Sequence, residues 1–562
     1  MQTNMNTYNY AKTILAILMS MISAQSTSAP TEIEIHPMNA NDTCTEEFEN
    51  VANSLQPGDE LILHGGIYTQ GCRRAITVTG TPENPITIRA AVNENPILTR
   101  PQNPNHNYSS NNIEIIDSSY LIIKGLRFKG GSSGVRIIGG DHITLEENEI
   151  LETGNNGIAL NTSNTDAFIL RRNHIHHTGL LDGSVGTTEG EGIYVGCNSA
   201  SCIASNHLIE NNYIHHLRGT SSGGNDGIEI KPGSFGNIIR NNIIHDTTIG
   251  TRFPCIFVYG AGVSENTVEG NTLWNCGEAI QVAADAVIQN NLIFNSDVGI
   301  TATPHVQVPQ SKNVTIANNT VYGHSTCLHI RWATATNMTL ANNAIYCPGN
   351  EALNAKGLDK ETHTIRSNFV EGSLVGVSID NNQIYDGGTS TEVFTDPVTF
   401  NFWPLPDTVL IGTADPGYVP STDFNETPRI TAPYDIGAYE TLGQGVNPDG
   451  QAKASSKDGP ITSDSDNDGI PDNSDNCTEA PDPDQRDTNG DGYGNLCDAD
   501  LDDNGNTDLF DLTLYKQAYG SKLGEAAYNP DADFNGDGKI DLLDLAILKS
   551  LYLSPPGPNG GL

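Results

Sequence analysis

The sequence predicts an all-β solenoid, a right-handed parallel β-helix, followed by a small calcium-binding tail with two loop-helix units. Three observations predict this architecture. A polar phrase that contains Asn recurs from Asn112 to about Cys347, an apolar phrase recurs in step with it, and the C-terminal segment is dense in Asp and Asn. A repeat of about 20 to 30 residues is typical of solenoids, in which each turn is one structural unit.

The first phrase is a polar pair ending in Asn before a short β-branched segment, as in RNHI, NNYI and NNII. The repeated Asn stands at positions 148, 173, 212, 242, 271, 291, 319 and 343. Stacked Asn side chains form hydrogen-bonded ladders, and β-branched residues favour strands. Leucine-rich repeats have a similar period but require an L-x-x-L-x-L pattern, which is missing here. The pattern therefore favours a parallel β-helix.

The second phrase predicts the strands of one sheet, as in GIYVG from Gly192, GIEIK from Gly227 and CIFVY from Cys255. Side chains alternate along a strand, so Ile228 and Ile230 are expected in the core. The residues between them face outward and are expected to meet solvent. This outward set is Tyr194, Glu229, Lys231, Phe257, Tyr259, His329 and Arg331.

The composition limits the possible functions of the protein and its cellular location. A formal net charge of −40 argues against nucleic acid or an anionic membrane as partner, because phosphate binding needs clustered Lys and Arg. Lys12 before an apolar run over residues 14–22 predicts a signal peptide, with residues 1–25 removed. No other stretch is apolar for long enough to span a membrane. We therefore expect a secreted, extracellular or cell-surface-associated protein.

Ten cysteines are expected to form disulfides in that compartment. Their order suggests local pairs, although order alone does not prove connectivity, and scattered buried thiols are the alternative. The suggested pairs are Cys44–Cys72, Cys197–Cys202, Cys255–Cys276, Cys327–Cys347 and Cys477–Cys497.

The run from Asp464 to Asp500 places carboxylates at alternate positions, with glycines that permit tight turns. It resembles the thrombospondin type 3 repeat, whose chain folds around calcium, and a solvated acidic linker is the alternative. The resemblance implies two sets of calcium ligands: Asp464, Asp466, Asp468 and Asp472, then Asp487, Asn489, Asp491 and Asp498.

Two further segments have the ligand spacing of an EF-hand loop, with Asp in place of the usual Glu at position 12. Each runs into an amphipathic segment. The expected ligands are Asp500, Asp502, Asn504, Asn506, Asp508 and Asp511 in the first loop, and Asp533, Asn535, Asp537, Lys539 (through its carbonyl), Asp541 and Asp544 in the second. This duplication resembles type I dockerins, which implies Ca²⁺ as cofactor and a cohesin-like protein as partner.

Pattern and composition together divide the chain into segments. The region around SLQPGDELILHGG resembles the N-terminal cap of extracellular β-helix proteins. The predicted boundaries are signal peptide 1–25, capped β-helix 26–445, flexible linker 446–462, calcium repeats 463–499, dockerin-like module 500–553 and tail 554–562.

Within the β-helix, Asp226 precedes Lys231 by five residues in DGIEIK. The motif resembles D-G-[FI]-x-x-K of family-nine pectate lyases and the catalytic strand of family-six alginate and chondroitin lyases. The resemblance implies that Asp226 binds calcium, with Glu189 and Glu191 as further ligands, and that Lys231 is the Brønsted base. Tyr259 stands where family six has its proton-donating Arg, so either Tyr259 or a water is expected to protonate the leaving oxygen. The polygalacturonase and alginate epimerase signatures are absent.

Calcium-assisted β-elimination explains this combination. Removing the C5 proton of a uronic acid requires the adjacent carboxylate to be neutralised, and a base must stand on the same face. The acidic polysaccharide is expected to contact Tyr194, Glu229, Phe257, His329 and Arg331. The alternatives are that Lys231 only pairs with Glu229 and that the β-helix binds glycan without cleaving it. The histidines of NHIHH and NNYIHH are interpreted as turn residues rather than a metal site.

Overall fold

The computed structural model divides the chain into two compact units, Met1–Gly450 and Gln451–Leu562. The described residues are 31–37, 46–69, 74–103, 110–179, 189–219, 224–247, 253–356, 363–380, 383–441, 476–478, 480–481, 486–489, 493–502, 504, 506–507, 509–525, 527–552 and 556–557. The predicted signal peptide and linker lie outside them.

The first unit is a solenoid of three sheets in which strands pair in parallel with those of the next turn. Parallel strands in one sheet need crossover connections, which are right-handed in nearly all proteins. Sheet one contains Glu32–Ile35, Glu60–Leu63, Ile86–Ala90, Ser119–Lys124, Asp141–Glu146, Ile169–Arg171, Leu208–Glu210, Ile238–Arg240, Asn266–Glu269, Ala286–Gln289, Lys312–Ala317, Thr336–Ala341 and Thr364–Arg366, with Thr165–Asp166 and Ala204–Ser205 beside it.

Sheets two and three form the other faces. Sheet two contains Ala75–Ile76, Ile113–Ile116, Val135–Ile138, Ile158–Leu160, Ile193–Val195, Ile228–Ile230, Pro254–Val258, Glu278–Val282, Val298–Ala302 and Thr326–Ile330. Sheet three contains Gly66–Thr69, Pro96–Arg100, Arg127–Gly130, Glu149–Leu151, His174–His176, Tyr213–His215, Ile243–Thr247, Thr272–Cys276, Leu292–Phe294, Thr320–Tyr322, Asn368–Val375 and Ile384–Asp386. The long strand Ala344–Asn354 pairs in both sheets.

The Asn ladder predicted from the repeat is present. Each Asn side-chain amide donates to the side-chain oxygen of the Asn one turn later, at 2.9–3.1 Å, from Asn148 to Asn368. The residue before each ladder Asn has a left-handed backbone, as at Asn211 and Asn241. Asn tolerates this conformation better than most residues, which explains the preference for an Asn pair. Asn237 lies in a second, shorter ladder with Asn266.

The core lies inside the solenoid and is built from the inward residues of all three sheets. Ile193, Ile228, Ile256 and Ile280 stack in register and are fully buried. Burying one such side chain contributes roughly 1.5–3 kcal/mol. The alternation of inward and outward side chains predicted from the second phrase is therefore confirmed for the inward residues of sheet two.

Short elements close the first unit. The helix Glu46–Ser54 buries Phe48 and Ala52 against the first turns. Near the other end are the helix Ser390–Val393, the antiparallel strands Phe394–Asp396 and Asn401–Pro404, and the 3₁₀ turns Pro397–Thr399 and Pro416–Tyr418; a further 3₁₀ turn, Asn198–Ala200, borders sheet two. Four of the suggested disulfides are confirmed, and Cys44–Cys72 lies outside the described residues.

The second unit contains the helices Leu509–Ala518 and Leu542–Leu551 and the 3₁₀ turn Pro530–Ala532. A small core of Tyr515, Phe534, Ile540 and Leu548 lies between the helices. This core is too small to offset much chain entropy by itself. No helix among the described residues is long and apolar enough to cross a membrane.

Candidate active site and calcium loops

The outward residues of sheet two form parallel rows along the solenoid. Tyr194, Glu229, Phe257 and Gln281 occupy one position on successive turns. The next outward position is occupied by Lys231 and then by Tyr259, whose backbone N–H groups bond the carbonyls of Val195 and Ile230. The predicted proximity of Lys231 and Tyr259 is confirmed, because Lys231 Nζ lies 5.2 Å from the centre of the Tyr259 ring.

These rows line a cleft of about 440 Å³. Several lining residues come from connections outside the repeat, notably Asn198, Phe253, His305 and Gln307. Gln307 accepts a hydrogen bond from the Ser199 N–H at 2.9 Å, which joins two walls of the cleft. The complete lining is Glu189, Glu191, Tyr194, Asn198, Gly224, Asp226, Glu229, Lys231, Phe253, Pro254, Phe257, Tyr259, Gln281, His305 and Gln307.

The expectation that the outward residues face solvent is wrong for Tyr194, Phe257 and Tyr259, which are buried, and for Glu229 and Lys231. Both point away from the core, but their exposed fractions are only 3% and 5% because the cleft walls cover them. They form an ion pair with each other. Lys231 Nζ also lies 4.6 Å from the centre of the Tyr194 ring, so an aromatic face shields the cation on each side.

Three buried carboxyl groups make the cleft strongly acidic. The pKa of Asp226 and that of Glu191 are raised well above their usual values, first by burial and then by neighbouring carboxylates, with Glu229 the largest contributor. Burial also raises the pKa of Glu229, and the Lys231 ammonium offsets part of that rise. Buried carboxylates in excess of cations are costly unless a cation neutralises them.

The donor set suits a hard divalent cation. Within the described part of the chain, Asp226 Oδ1 is buried without a hydrogen-bond partner, whereas the neighbouring Glu229 carboxylate accepts hydrogen bonds from Lys231 and Tyr259. Glu191 is held by the Asn156 side-chain amide at 2.6 Å, and a Cβ at Gly224 would come within 2.1 Å of its Oε1. Oxygen ligands of this kind are those that Ca²⁺ prefers. The oxygens of Glu189, Glu191 and Asp226 do not form a three-atom group within 4.8 Å among the described residues.

The Tyr259 ring contacts other aromatic rings, and its side chain lies near carboxylate groups. Its ring stacks on Phe257, with centres 3.9 Å apart, and meets His305 edge-on at 4.8 Å. Burial, followed by the charges of Glu229 and Asp226, raises the pKa of Tyr259. The phenol therefore stays protonated at neutral pH and can give a proton or a hydrogen bond to a group in the cleft.

Two predicted contact residues lie farther along the sheet. His329 follows Gln281 by two turns, and Arg331 follows Lys231 by four, so neither lines the cleft. Arg331 donates to Asn354 Oδ1 at 3.1 Å. The sequence motif did not identify His305 and Gln307 as cleft residues, because both lie in a connection that lacks the repeated phrases.

The described parts of the two tail loops bring several of the predicted ligands close together. In the first loop, oxygens of Asp500, Asp502 and Asp511 lie within 4.8 Å of one another. In the second, Asp544 Oδ1 accepts from the Asn535 N–H at 3.2 Å, and Asp533 Oδ2 accepts from Gly538 at 2.9 Å. These bonds bring positions 1, 3 and 12 of an EF-hand loop together around its glycine.

Several predicted tail ligands cannot be placed. Asp464, Asp466, Asp468, Asp472, Asp491 and Asp508 lie outside the described residues. In the described part of residues 463–499, Arg486 donates to the Asp533 carbonyl and Thr488 Oγ1 donates to Asp531 Oδ1 at 2.6 Å. This segment therefore packs on the second loop, and both its resemblance to thrombospondin repeats and its ligand set stay predictions.

Comparison with protein families agrees with this division. The family described as right handed beta helix region matches residues 65–218 and 191–345, which together span half of the chain. The dockerin type I domain matches residues 498–552. No curated protein sequence matches the chain.

Solved structures show a similar fold at low identity. Alginate lyase from Paenibacillus sp. str. FPU-7 is 19% identical over 54% of this chain and 99% of its own, with a TM-score of 0.42. Pectate lyase Pel9A is 15% identical over 74% and 97%, with a TM-score of 0.44. XylC in complex with xylose is 11% identical over 74% and 99%, with a TM-score of 0.48.

Proposed function

We propose that this chain, which belongs to the right-handed β-helix family, is a secreted polysaccharide lyase that cleaves an acidic, uronic-acid glycan by calcium-assisted β-elimination. The observation that carries the proposal is the sheet-two cleft, which gathers one lysine, three buried carboxyl groups and two tyrosines. A base, an acid and a cation-binding set within one cleft are the groups that eliminative cleavage requires.

The proposed roles follow from the contacts. Asp226 and Glu191, with Glu189 beside them, would hold Ca²⁺. When bound, Ca²⁺ neutralises the substrate carboxylate and so acidifies the adjacent C5 proton. Lys231 takes that proton, the C5–H electrons form the C4–C5 double bond, and the C4–O bond breaks. Tyr259 then protonates the leaving oxygen.

Lysine must be neutral to act as base. Its ion-pair partner Glu229 can accept the ammonium proton, because burial raises the pKa of Glu229 and makes this carboxylate a better proton acceptor. We propose that the ammonium proton passes to Glu229 when a substrate closes the cleft and excludes water. Tyr194 and Phe257 would pack against sugar rings, with His329 and Arg331 as distal subsites.

A second candidate function has its own support. Lys231 and Glu229 already satisfy each other's charge, which is what a non-catalytic glycan-binding β-helix would also show. Screening pectate, alginate and glycosaminoglycans for ultraviolet absorbance separates the two. A lyase produces unsaturated, absorbing ends, whereas a binding protein retains the glycan without any rise in absorbance.

We also propose that the C-terminal module assembles the protein with a cohesin-like partner outside the cell. Phe510, Leu542 and Leu543 are 69%, 68% and 61% exposed, as expected for a docking surface, and the side chain of Leu509 lies outside the described residues. Capture of a cohesin-like protein by the wild-type chain but not by Leu542→Asp would support docking. Equal capture by both would contradict it.

A further inference from the structure

Histidines occur at one place in the repeat on sheet three, away from the sheet-two cleft. His176, His215 and His245 occupy the same register position on three successive turns, followed by Trp274. Their rings stack with centres 5.3, 5.2 and 4.2 Å apart. The interpretation as turn residues holds for His177 and His216, whose φ angles are positive, whereas His174, His176 and His215 lie in strands.

Hydrogen bonds orient the ring nitrogens of this stack. His176 Nδ1 lies 2.6 Å from His177 Nδ1, and His215 Nδ1 lies 2.6 Å from His216 Nδ1. Two imidazole nitrogens approach this closely only when one carries a proton that the other accepts. If His176 and His215 are the donors, both Nε2 atoms carry free lone pairs.

Each of those Nε2 atoms lies close to one further ligand atom. His176 Nε2 lies 3.2 Å from Glu149 Oε1, and His215 Nε2 lies 2.8 Å from His174 Nε2. One ligand atom from each of Glu149, His174 and His176 lies within 4.8 Å of the other two. Adjacent ligand atoms of a tetrahedral zinc site are about 3.3 Å apart, given Zn–N distances of about 2.0–2.1 Å. The separations of 3.2 and 2.8 Å lie within about 0.5 Å of that value, while His215 does not join the 4.8 Å group among the described residues.

An arginine orients the carboxylate of this group. Arg127 pairs with Glu149 and fixes the orientation of its carboxylate, as outer-shell partners do in metal sites.

We propose that Glu149, His174, His176 and His215 form a binding site for a divalent transition-metal ion of the Zn²⁺ type. Three imidazoles and one carboxylate are typical of zinc and differ from the all-oxygen sets of the cleft and the tail, which suit Ca²⁺. The site results from the repeat, because the in-register pairing of successive turns stacks the histidines of one turn on those of the next. The proposal does not depend on the lyase activity.

Zinc titration of the full chain tests the site. The protein is stripped of transition metals, saturated with Ca²⁺ to fill the oxygen sites, and titrated with Zn²⁺ against a chromogenic chelator. We expect one tight equivalent in the wild type and affinity reduced about tenfold or more in His215→Gln and in Glu149→Gln. The matched control is His36→Gln, from the separate Glu34, His36 and His64 cluster, which should retain the tight equivalent.

A spectroscopic measurement on the wild type tests the site even if the variants fail to fold. Co²⁺ bound to the wild-type chain should give the intense visible absorption of a four-coordinate site, and Zn²⁺ should displace it. The proposal is overturned if the wild type binds no tight Zn²⁺, if folded His215→Gln and Glu149→Gln bind as tightly as wild type, or if only His36→Gln loses the equivalent.

Discussion

At the residue scale, the chemistry depends on the environment of Lys231. The motif correctly places Lys231 on the outer side of sheet two and next to Tyr259. It could not predict the burial of Lys231, because the covering residues His305 and Gln307 come from a connection about 75 residues later, without repeat phrasing. An outward position in a strand alternation is therefore not the same as a solvent-exposed one.

Replacing Lys231 tests whether it is the base. We expect Lys231→Met to reduce eliminative turnover at least about a hundredfold, and Lys312→Met, on sheet one, to leave it unchanged. Removing one partner of a buried pair costs up to about 3–5 kcal/mol of stability, so folding must be checked by circular dichroism. The double variant Lys231→Met with Glu229→Gln should regain stability without regaining turnover. Activity in that folded double variant would contradict the role.

The buried carboxyl groups predict how stability depends on pH. The folded pKa of Asp226 lies above its ordinary value of 3.8, and that of Glu191 lies above 4.5. Above those ordinary values the unfolded chain ionises while the folded chain retains its protons, so the free energy of unfolding falls as pH rises. In chelator, the melting temperature of the β-helix should therefore fall from about pH 4 towards pH 7. Asp226→Asn should reduce this fall, unlike the half-exposed control Asp141→Asn; equal slopes would contradict the argument.

At the element scale, the repeat determines most of the structure. The strands of sheet two, the Asn ladder and the local disulfides follow from phrases visible in the sequence. The ladder also continues to Asn368, one turn beyond the repeats identified in the sequence, with Ser367 in the left-handed position. The caps and cleft walls could not be predicted in detail, because they depend on packing of unique segments.

The ladder should be a main source of stability. The Asn242 amide donates to Ile209 O at 2.9 Å and to Asn271 Oδ1 at 3.0 Å, and its oxygen accepts from Asn212. Asn242→Ala leaves several buried groups unpaired, so we expect a loss of about 2–5 kcal/mol in chemical denaturation. The exposed strand residue Asn350 is the control, with Asn350→Ala expected within about 0.5 kcal/mol of wild type. A similar small loss for Asn242→Ala would contradict a stabilising ladder.

At the scale of the whole molecule, the two units should depend differently on calcium. The β-helix has a continuous apolar core, whereas the tail has a small one and dense carboxylates. Without ions those carboxylates repel one another, and little apolar surface compensates.

Hydrogen exchange of the full chain tests this difference. Chelation should remove protection from the tail helices Leu509–Ala518 and Leu542–Leu551 and leave most ladder strands of the β-helix protected. A chain carrying Asp511→Ala and Asp544→Ala should show weakened tail protection even with calcium present. Tail protection that is unchanged by chelator would show that calcium is not structural there.

The mass of the cleavage products tests the central claim most directly. The purified chain is incubated with each acidic polysaccharide in calcium, and the fragments are weighed by mass spectrometry. Eliminative cleavage predicts fragments whose new non-reducing end lacks one water relative to a hydrolysis product, formed by the wild type and by Lys312→Met but not by Lys231→Met. Saturated ends, or no fragments from any uronic-acid glycan, would contradict a lyase built on this cleft.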